Sequence, residues 1–227
     1  MNDQPTGNDR TLGLSVHELL STTRAVRKRL DFDRPVDNDL LRECLEYTVQ
    51  APTGSNRQGW RFVVVTDADK RAGLADLYRR GWDMYTKMAV SAGALADGAP
   101  TDRAAQQMRV MESATYLAEN MHRVPAMVIP CIESRIDRSG MGAASVLGSI
   151  IPSAWSFMLA ARERGLGTCW TTIHLMFEEE ASALLGIPHG SVSQVALITV
   201  GHTLGTDFRP AYRDGGAAAV TSWNGWD

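Results

Sequence analysis

The sequence predicts an α+β protein with a central mixed β-sheet wrapped by helices. Short apolar runs of β type recur at residues 61–65, 126–129 and 194–200. Longer segments between them repeat their apolar residues at helical spacing, above all residues 145–164. At 227 residues and 44% hydrophobic content, the chain can bury one substantial core without dividing. Residues 1–227 are therefore read as a single domain.

Composition narrows the function classes. A formal net charge of −3 gives no field for nucleic acid or anionic lipid. Cys44, Cys131 and Cys169 are odd in number, far apart and without metal-type spacing, so each reads as a small buried hydrophobe. The first residues lack a basic-then-apolar leader, and no apolar run approaches membrane-spanning length. A soluble cytoplasmic protein is expected.

In chain order, residues 1–11 are polar and expected to fray. A helix begins near Leu14 or Ser15 and carries Val16, Leu19 and Leu20 on one face. It leads into Thr23-Arg24-Ala25-Val26-Arg27-Lys28-Arg29, which reads either as a solvated cationic face or as an anion clamp. The clamp draws on Arg24 and Arg27, three apart behind hydroxyl residues, because guanidinium forks match phosphate geometry. Asp37 or Asn38 caps a helix carrying Leu40, Leu41, Cys44, Leu45 and Val49, and Pro52 cannot continue it.

The loop Ala51-Pro52-Thr53-Gly54-Ser55-Asn56-Arg57-Gln58-Gly59-Trp60 then feeds the first strand. It offers hydroxyls, carboxamides, a guanidinium and an indole within a few residues. A plain polar loop before a buried strand is the alternative. Helical patterns follow at residues 70–80 and 104–122. The looser stretch between them, within a region 81–122, is read as pocket-covering structure with Trp82 and Tyr85 as lining residues.

Pro130 interrupts the second strand, which suits an edge or a strand end. In the long helix at 145–164, Pro152 must either kink the rod or sit in its first turn. Gly165 is placed for a left-handed cap, and residues 168–173 follow as strand and loop. Residues 178–185 form a short helix, residues 194–200 a central strand, and residues 201–205 a loop leaving it. Val220, Trp223 and Trp226 make a tail that is costly to leave in water and is expected to dock. No dinucleotide fingerprint or phosphate-loop motif occurs, since the third glycine after Gly165-x-Gly167 would fall at Trp170.

Three of these segments, residues 23–27, 51–60 and 165–169, resemble the FMN-dependent nitroreductase family in residues, order and spacing. The middle one, an A-P-[ST]-x-x-N-x-Q-x-W pattern, is the most specific. Departures are Gly59, where the family usually has proline, and Ala25, where it often has a small hydroxyl residue that Thr22 or Thr23 would have to replace.

The resemblance implies a nitroreductase-like fold, an intertwined homodimer and two FMN sites at its interface. It implies that Arg24 holds the flavin phosphate, with Ala25 contributing backbone, and that Arg27 approaches the phosphate or the pyrimidine edge. Asn56 would bond that edge, Pro52, Thr53 and Ser55 would shape the loop, and Ser55 would belong to the partner's site. Thr171 and Thr172 would set backbone N–H groups near flavin N5, and Arg209 and Arg213 would close on the phosphate.

The implied activity is ping-pong electron transfer from NAD(P)H to a nitroaromatic, quinone or related conjugated acceptor. No catalytic side chain is then needed, because the flavin carries the chemistry. His174, His189 and His202 are read as structural, and Cys169 is left out of the mechanism. A flavin-binding protein without turnover, a dimer with a decayed site, and a dehalogenating or flavin-consuming enzyme are the competing readings.

Overall fold

The computed structural model describes residues 11–97, 99–136 and 140–226. The expected frayed terminus, apart from Thr11, lies outside them. Helix α1, Val16–Thr22, starts at a reciprocal cap: the Glu18 N–H donates to Ser15 Oγ at 3.2 Å and the Ser15 N–H donates to the Glu18 carboxylate at 2.9 Å. Its expected apolar face is not covered by this chain, since Val16 is 74% and Leu20 56% exposed. Strand β1, Leu30–Asp31, precedes α2, Asn38–Leu45, whose cap is Asp37 accepting from the Asp39 N–H at 2.8 Å. The helix stops short of Pro52, and a tight turn at Thr48–Gln50 fills the gap.

Strand β2, Trp60–Val65, passes into α3, Ala68–Tyr85, where Asp67 accepts from the Lys70 N–H at 2.9 Å. The helix thus continues through Gly81, where the sequence pattern loosens. Helix α4, Thr101–Asn120, strand β3, Ala126–Ile132, and helix α5, Gly140–Glu163, follow. Then come β4, Leu166–Thr171, a tight turn at Ile173–Phe177, and α6, Glu178–Leu185. Strands β5, Ser193–Gln194, and β6, Leu197–Thr203, complete the sheet.

Strand β6 pairs with β4 along its length, with β3 at residues 198–200 and with β1 at its end; β3 pairs in turn with β2 and β5. Every described ladder is antiparallel. The expected mixed sheet is corrected to an antiparallel one, its parallel element being the isolated bridge of Ala25 to Thr168.

Pro130 is not at an edge either, because β3 is buried along all seven residues. The N–H and C=O of a strand residue face the same neighbour, and Pro130 O accepts from the Val195 N–H at 2.9 Å. The donor that proline lacks therefore faces the break between β5 and β6, where no ladder bond is lost. Residues 201–203 are strand rather than loop, since Leu166 and Leu30 pair with His202 and Thr203.

Helices α2 and α5 cover one sheet face and α3, α4 and α6 the other. On β3, Ala126 and Val128 join Phe157, Met158 and Leu41 on the first face, while Met127, Ile129 and Cys131 join Leu74 and Leu117 on the second. Each large side chain so buried contributes about 1.5–3 kcal/mol. Pro152 lies inside α5, not in its first turn.

By length and composition α5 could cross a membrane, contrary to the expectation that no run approaches that length. Its inner face instead packs on the sheet through Ile150, Ala154, Phe157 and Ala161. Trp155 and Ile151 on its other side stay partly open, and the tail residues Val220, Trp223 and Trp226 do not dock on their own chain.

His174, fully buried beneath α6, has no hydrogen-bond partner on either ring nitrogen among the described residues. Burial pushes its pKa down to about 4, and nearby Gln194 and Glu178 offset this only in part. The imidazole is neutral in the fold, so its contribution is present above pH 6.5 and lost as pH falls toward 4, up to about 3 kcal/mol in all. Thermal unfolding from pH 7 to pH 4 should show a shallower acid loss in His174→Leu than in the wild type. Equal slopes would assign that loss to other groups.

Candidate flavin site

The basic segment 23–29 is held against the edge of the sheet. The Val26 N–H donates to Thr168 O at 2.8 Å. This approach needs glycine at 167, where an added Cβ would stand 2.9 Å from the Val26 Cβ and 2.8 Å from Thr203 Cγ2. The hydroxyls of Thr22 and Thr23 are spent on α1 itself, donating to Glu18 O at 2.7 Å and Leu19 O at 2.6 Å.

The four cations of the segment divide by partner. Lys28 pairs with Glu112, and Arg29 pairs with Asp207 at 2.6 Å. Arg24 donates to Arg209 O and Arg27 to Ser113 Oγ, each at 3.4 Å. Together with Arg109 from α4 they face a cavity of about 500 Å³, closed on its far side by Phe208, Pro210 and Tyr212. Among the described residues none of these three guanidiniums pairs with a carboxylate. Three guanidinium forks around one space have the chemistry to hold a multivalent anion.

A second cavity of about 200 Å³ adjoins the first, with Arg27 and Val110 lining both. Its walls are Trp82, Tyr85, Trp170, Thr171, Thr172 and Ile173, and the Trp82 and Tyr85 rings lie 5.4 Å apart. Trp82 and Tyr85 therefore line a pocket as expected. Thr171 Oγ1 donates to Leu197 O at 2.9 Å, which leaves backbone and Thr172 toward the space. No activated thiol stands here: burial pushes the Cys169 thiol up, although Arg27 partly opposes it. The joined cavities thus offer a cationic end and an aromatic end, with Arg27 at the seam.

The loop at 51–59 lies elsewhere, against the first half of α5, where the Gly54 N–H donates to Ser149 Oγ at 3.2 Å. Ser55, Asn56 and Gln58 hold φ of 53°, 51° and 50°, each costing on the order of 1 kcal/mol. Asn56 Oδ1 accepts from Gln58 Nε2 at 3.0 Å, and the Gln58 N–H donates to Thr53 Oγ1 at 3.3 Å. Pro52, Thr53, Ser55 and Asn56 line neither cavity, so a single chain does not bring them to Arg24 and Arg27.

Arg209 contributes its carbonyl to Arg24 and does not line the cavity. Arg213 lines a neighbouring hollow with Arg103 and Asp214. Sequence reasoning missed Gln106, Arg109, Val110 and Ser113, which line the cationic cavity. Their spacing of i, i+3, i+4 and i+7 is one face of α4, and that stripe was readable.

Residues 20–202 match the Nitroreductase family. The 5,6-dimethylbenzimidazole synthase of Rhodospirillum rubrum is 26% identical over 159 residues, covering 68% of this chain and 67% of that protein. Among solved structures, the FMN and NADPH-dependent nitroreductase NfnB from Sphigopyxis sp. strain HMH superposes with a TM-score of 0.64 at 24% identity, over 94% of this chain and 100% of that one. A BluB-like flavoprotein from Clostridium difficile 630 gives 0.65 at 16% identity, over 93% and 99%. With a family match over most of its length and the same fold throughout, this chain belongs to the nitroreductase family.

Proposed function

We propose that the protein is a cytoplasmic, FMN-dependent oxidoreductase that uses NAD(P)H to reduce a nitroaromatic, quinone or related conjugated acceptor. The observation that carries this reading is the set of guanidiniums of Arg24, Arg27 and Arg109, none paired with a carboxylate among the described residues, at one end of a space whose other end is aromatic. The donor set fits a phosphorylated flavin: forks for the phosphate, Arg27 at the seam for the ring system, and the turn at Thr171 and Thr172 beside the aromatic wall. When bound, a flavin supplies two-electron transfer between a reduced nicotinamide and an oxidised acceptor. The residues here bind and orient, Arg27 favours negative charge at the ring edge, and Trp82 with Tyr85 excludes water from one side. All three cysteines are free and buried, in keeping with a reducing compartment.

The reading includes a homodimer. Val16 and Leu20 on α1, Ile151 and Trp155 on α5, and Trp223 in the tail leave apolar surface open on one chain, and a second copy would cover it. The same association would carry Pro52, Thr53, Ser55 and Asn56 to the partner's basic segment. Phe157 is fully enclosed within its own chain, so its substitution reports on the core and not on assembly.

Anaerobic mixing of the FMN-loaded protein with NADH and with NADPH tests the activity. Rapid bleaching of the flavin absorbance by at least one nucleotide, restored by an added quinone or nitroaromatic, is expected; no bleaching by either would leave a binding protein without turnover. Arg24→Ala should weaken FMN binding by about one to two orders of magnitude, the loss of charge-assisted hydrogen bonds worth roughly 1.5–3 kcal/mol. Unchanged affinity in a fluorescence titration would remove Arg24 from the phosphate site.

Asn56→Ala should lower the flavin midpoint potential on the order of tens of millivolts, since about 30 mV corresponds to ~1.4 kcal/mol for two electrons. The competing role of Asn56, tying its own loop to Gln58, predicts an unaltered midpoint potential and an ordinary visible spectrum in a redox titration of the same variant.

A further inference from the structure

Arg162, in the last turn of α5, is only 5% exposed, yet its Nε and Nη1 have no hydrogen-bond partner among the described residues. A buried cation without a carboxylate is costly, and a Met of similar length would fill the same volume. What the guanidinium does contact is specific. Its Nη2 donates to Thr22 Oγ1 at 3.2 Å and to Thr206 O at 3.0 Å. Its Cζ lies 4.8 Å over the Phe208 ring, and the Cζ of Arg29 lies 4.3 Å over the same ring. Arg29 in turn bonds Leu204 O at 2.9 Å and Asp207.

These contacts join two stretches of chain that meet nowhere in sequence. Thr22 stands two residues before Arg24, and Thr206 and Phe208 stand three residues and one residue before Arg209, whose carbonyl accepts from Arg24 and which is followed by Pro210, a lining residue of the cavity. One guanidinium therefore ties the chain that leads into Arg24 to the chain that leads into Arg209 and Pro210. Burial works against its charge and Arg29 adds repulsion, while the neighbouring Glu163 offsets part of this without an ion pair among the described residues; the fork and the flat face are what let one side chain reach the hydroxyl, the carbonyl and the ring together.

We propose that Arg162 is a positioning residue for the anion end of the site: it fixes the gap between Arg24 and the Phe208–Tyr212 wall without touching the ligand. This rests on the reading that the cavity takes the flavin phosphate. A residue that only packs the core would weaken all flavins alike, whereas one that sets the phosphate gap acts on FMN and spares riboflavin, which has the ring but no phosphate.

The test titrates FMN and riboflavin, by fluorescence, into Arg162→Met, Arg162→Lys, Phe208→Leu and Arg24→Ala, each first checked by thermal unfolding. Arg162→Met and Arg162→Lys should each lower FMN affinity about tenfold, the scale of one charge-assisted contact, and change riboflavin affinity by less than about twofold. The failure of lysine to rescue separates geometry from charge. Phe208→Leu should show the same selectivity and, combined with Arg162→Met, add little further loss. If the Arg162 variants do not fold, Thr22→Val, which removes one acceptor of the Arg162 guanidinium at a residue outside the cavity lining, carries the test with the same expected selectivity for FMN over riboflavin.

Unchanged FMN affinity in folded Arg162→Met, full rescue by lysine, or parallel losses of FMN and riboflavin would overturn the assignment. If Arg24→Ala weakens FMN while the Arg162 and Phe208 variants do not, the phosphate reading stands and only Arg162 is misassigned. If none of the variants affects FMN, the phosphate reading itself fails.

Discussion

The contact on which the site depends is the approach of residues 25–26 to the edge strand β4, made by the Val26 N–H to Thr168 O and permitted by the missing side chain at Gly167. That single approach fixes where Arg24 and Arg27 stand relative to the sheet. The turn that leaves the same strand at Thr171 and Thr172 makes the floor of the aromatic cavity. The cationic and aromatic ends are therefore two ends of one strand's surroundings, at a spacing set by backbone pairing rather than by flexible side chains. Gly167→Ala would push the basic segment off the strand, because the added methyl meets Val26 and Thr203 at under 3 Å.

The second constraint is incompleteness. Three of the four described non-glycine residues at positive φ lie in one loop, which lines neither the cationic nor the aromatic cavity of its own chain. Strain is retained where surrounding structure and function hold it. The same chain leaves apolar residues of α1, α5 and the tail uncovered. The dimer we propose would answer both observations at once, supplying the loop to a partner's basic segment and covering apolar surface in the same event.

Much of the fold was legible because its signals are local. Ser15, Asp37 and Asp67 cap helices as their side chains predict, and Gly165 and Gly186 end helices with φ of +72° and +71°. What was not legible depends on neighbours. Pro130 reads as an edge residue until the break between β5 and β6 is seen opposite it. Gly201 to Thr203 read as loop until β4 and β1 pair with them. In the site, Arg24, Arg27, Thr171 and Thr172 come from segments with a readable motif and line two adjoining cavities, whereas Arg109 and Arg162 carry no motif and become visible only through what they face or lack.

The central claim, that each site is built from the basic segment of one chain and the 52–58 loop of another, is tested most directly by complementation. A chain carrying Arg24→Ala and a chain carrying loop changes at Ser55 and Asn56 are each assayed for FMN binding alone, then co-expressed with different tags and purified as the mixed species. In a shared-site dimer one of the two sites regains both wild-type halves, so the mixed species should bind flavin at about half the wild-type ratio. Mixed dimers that bind no more FMN than either parent would contradict the account and return the loop to its own chain.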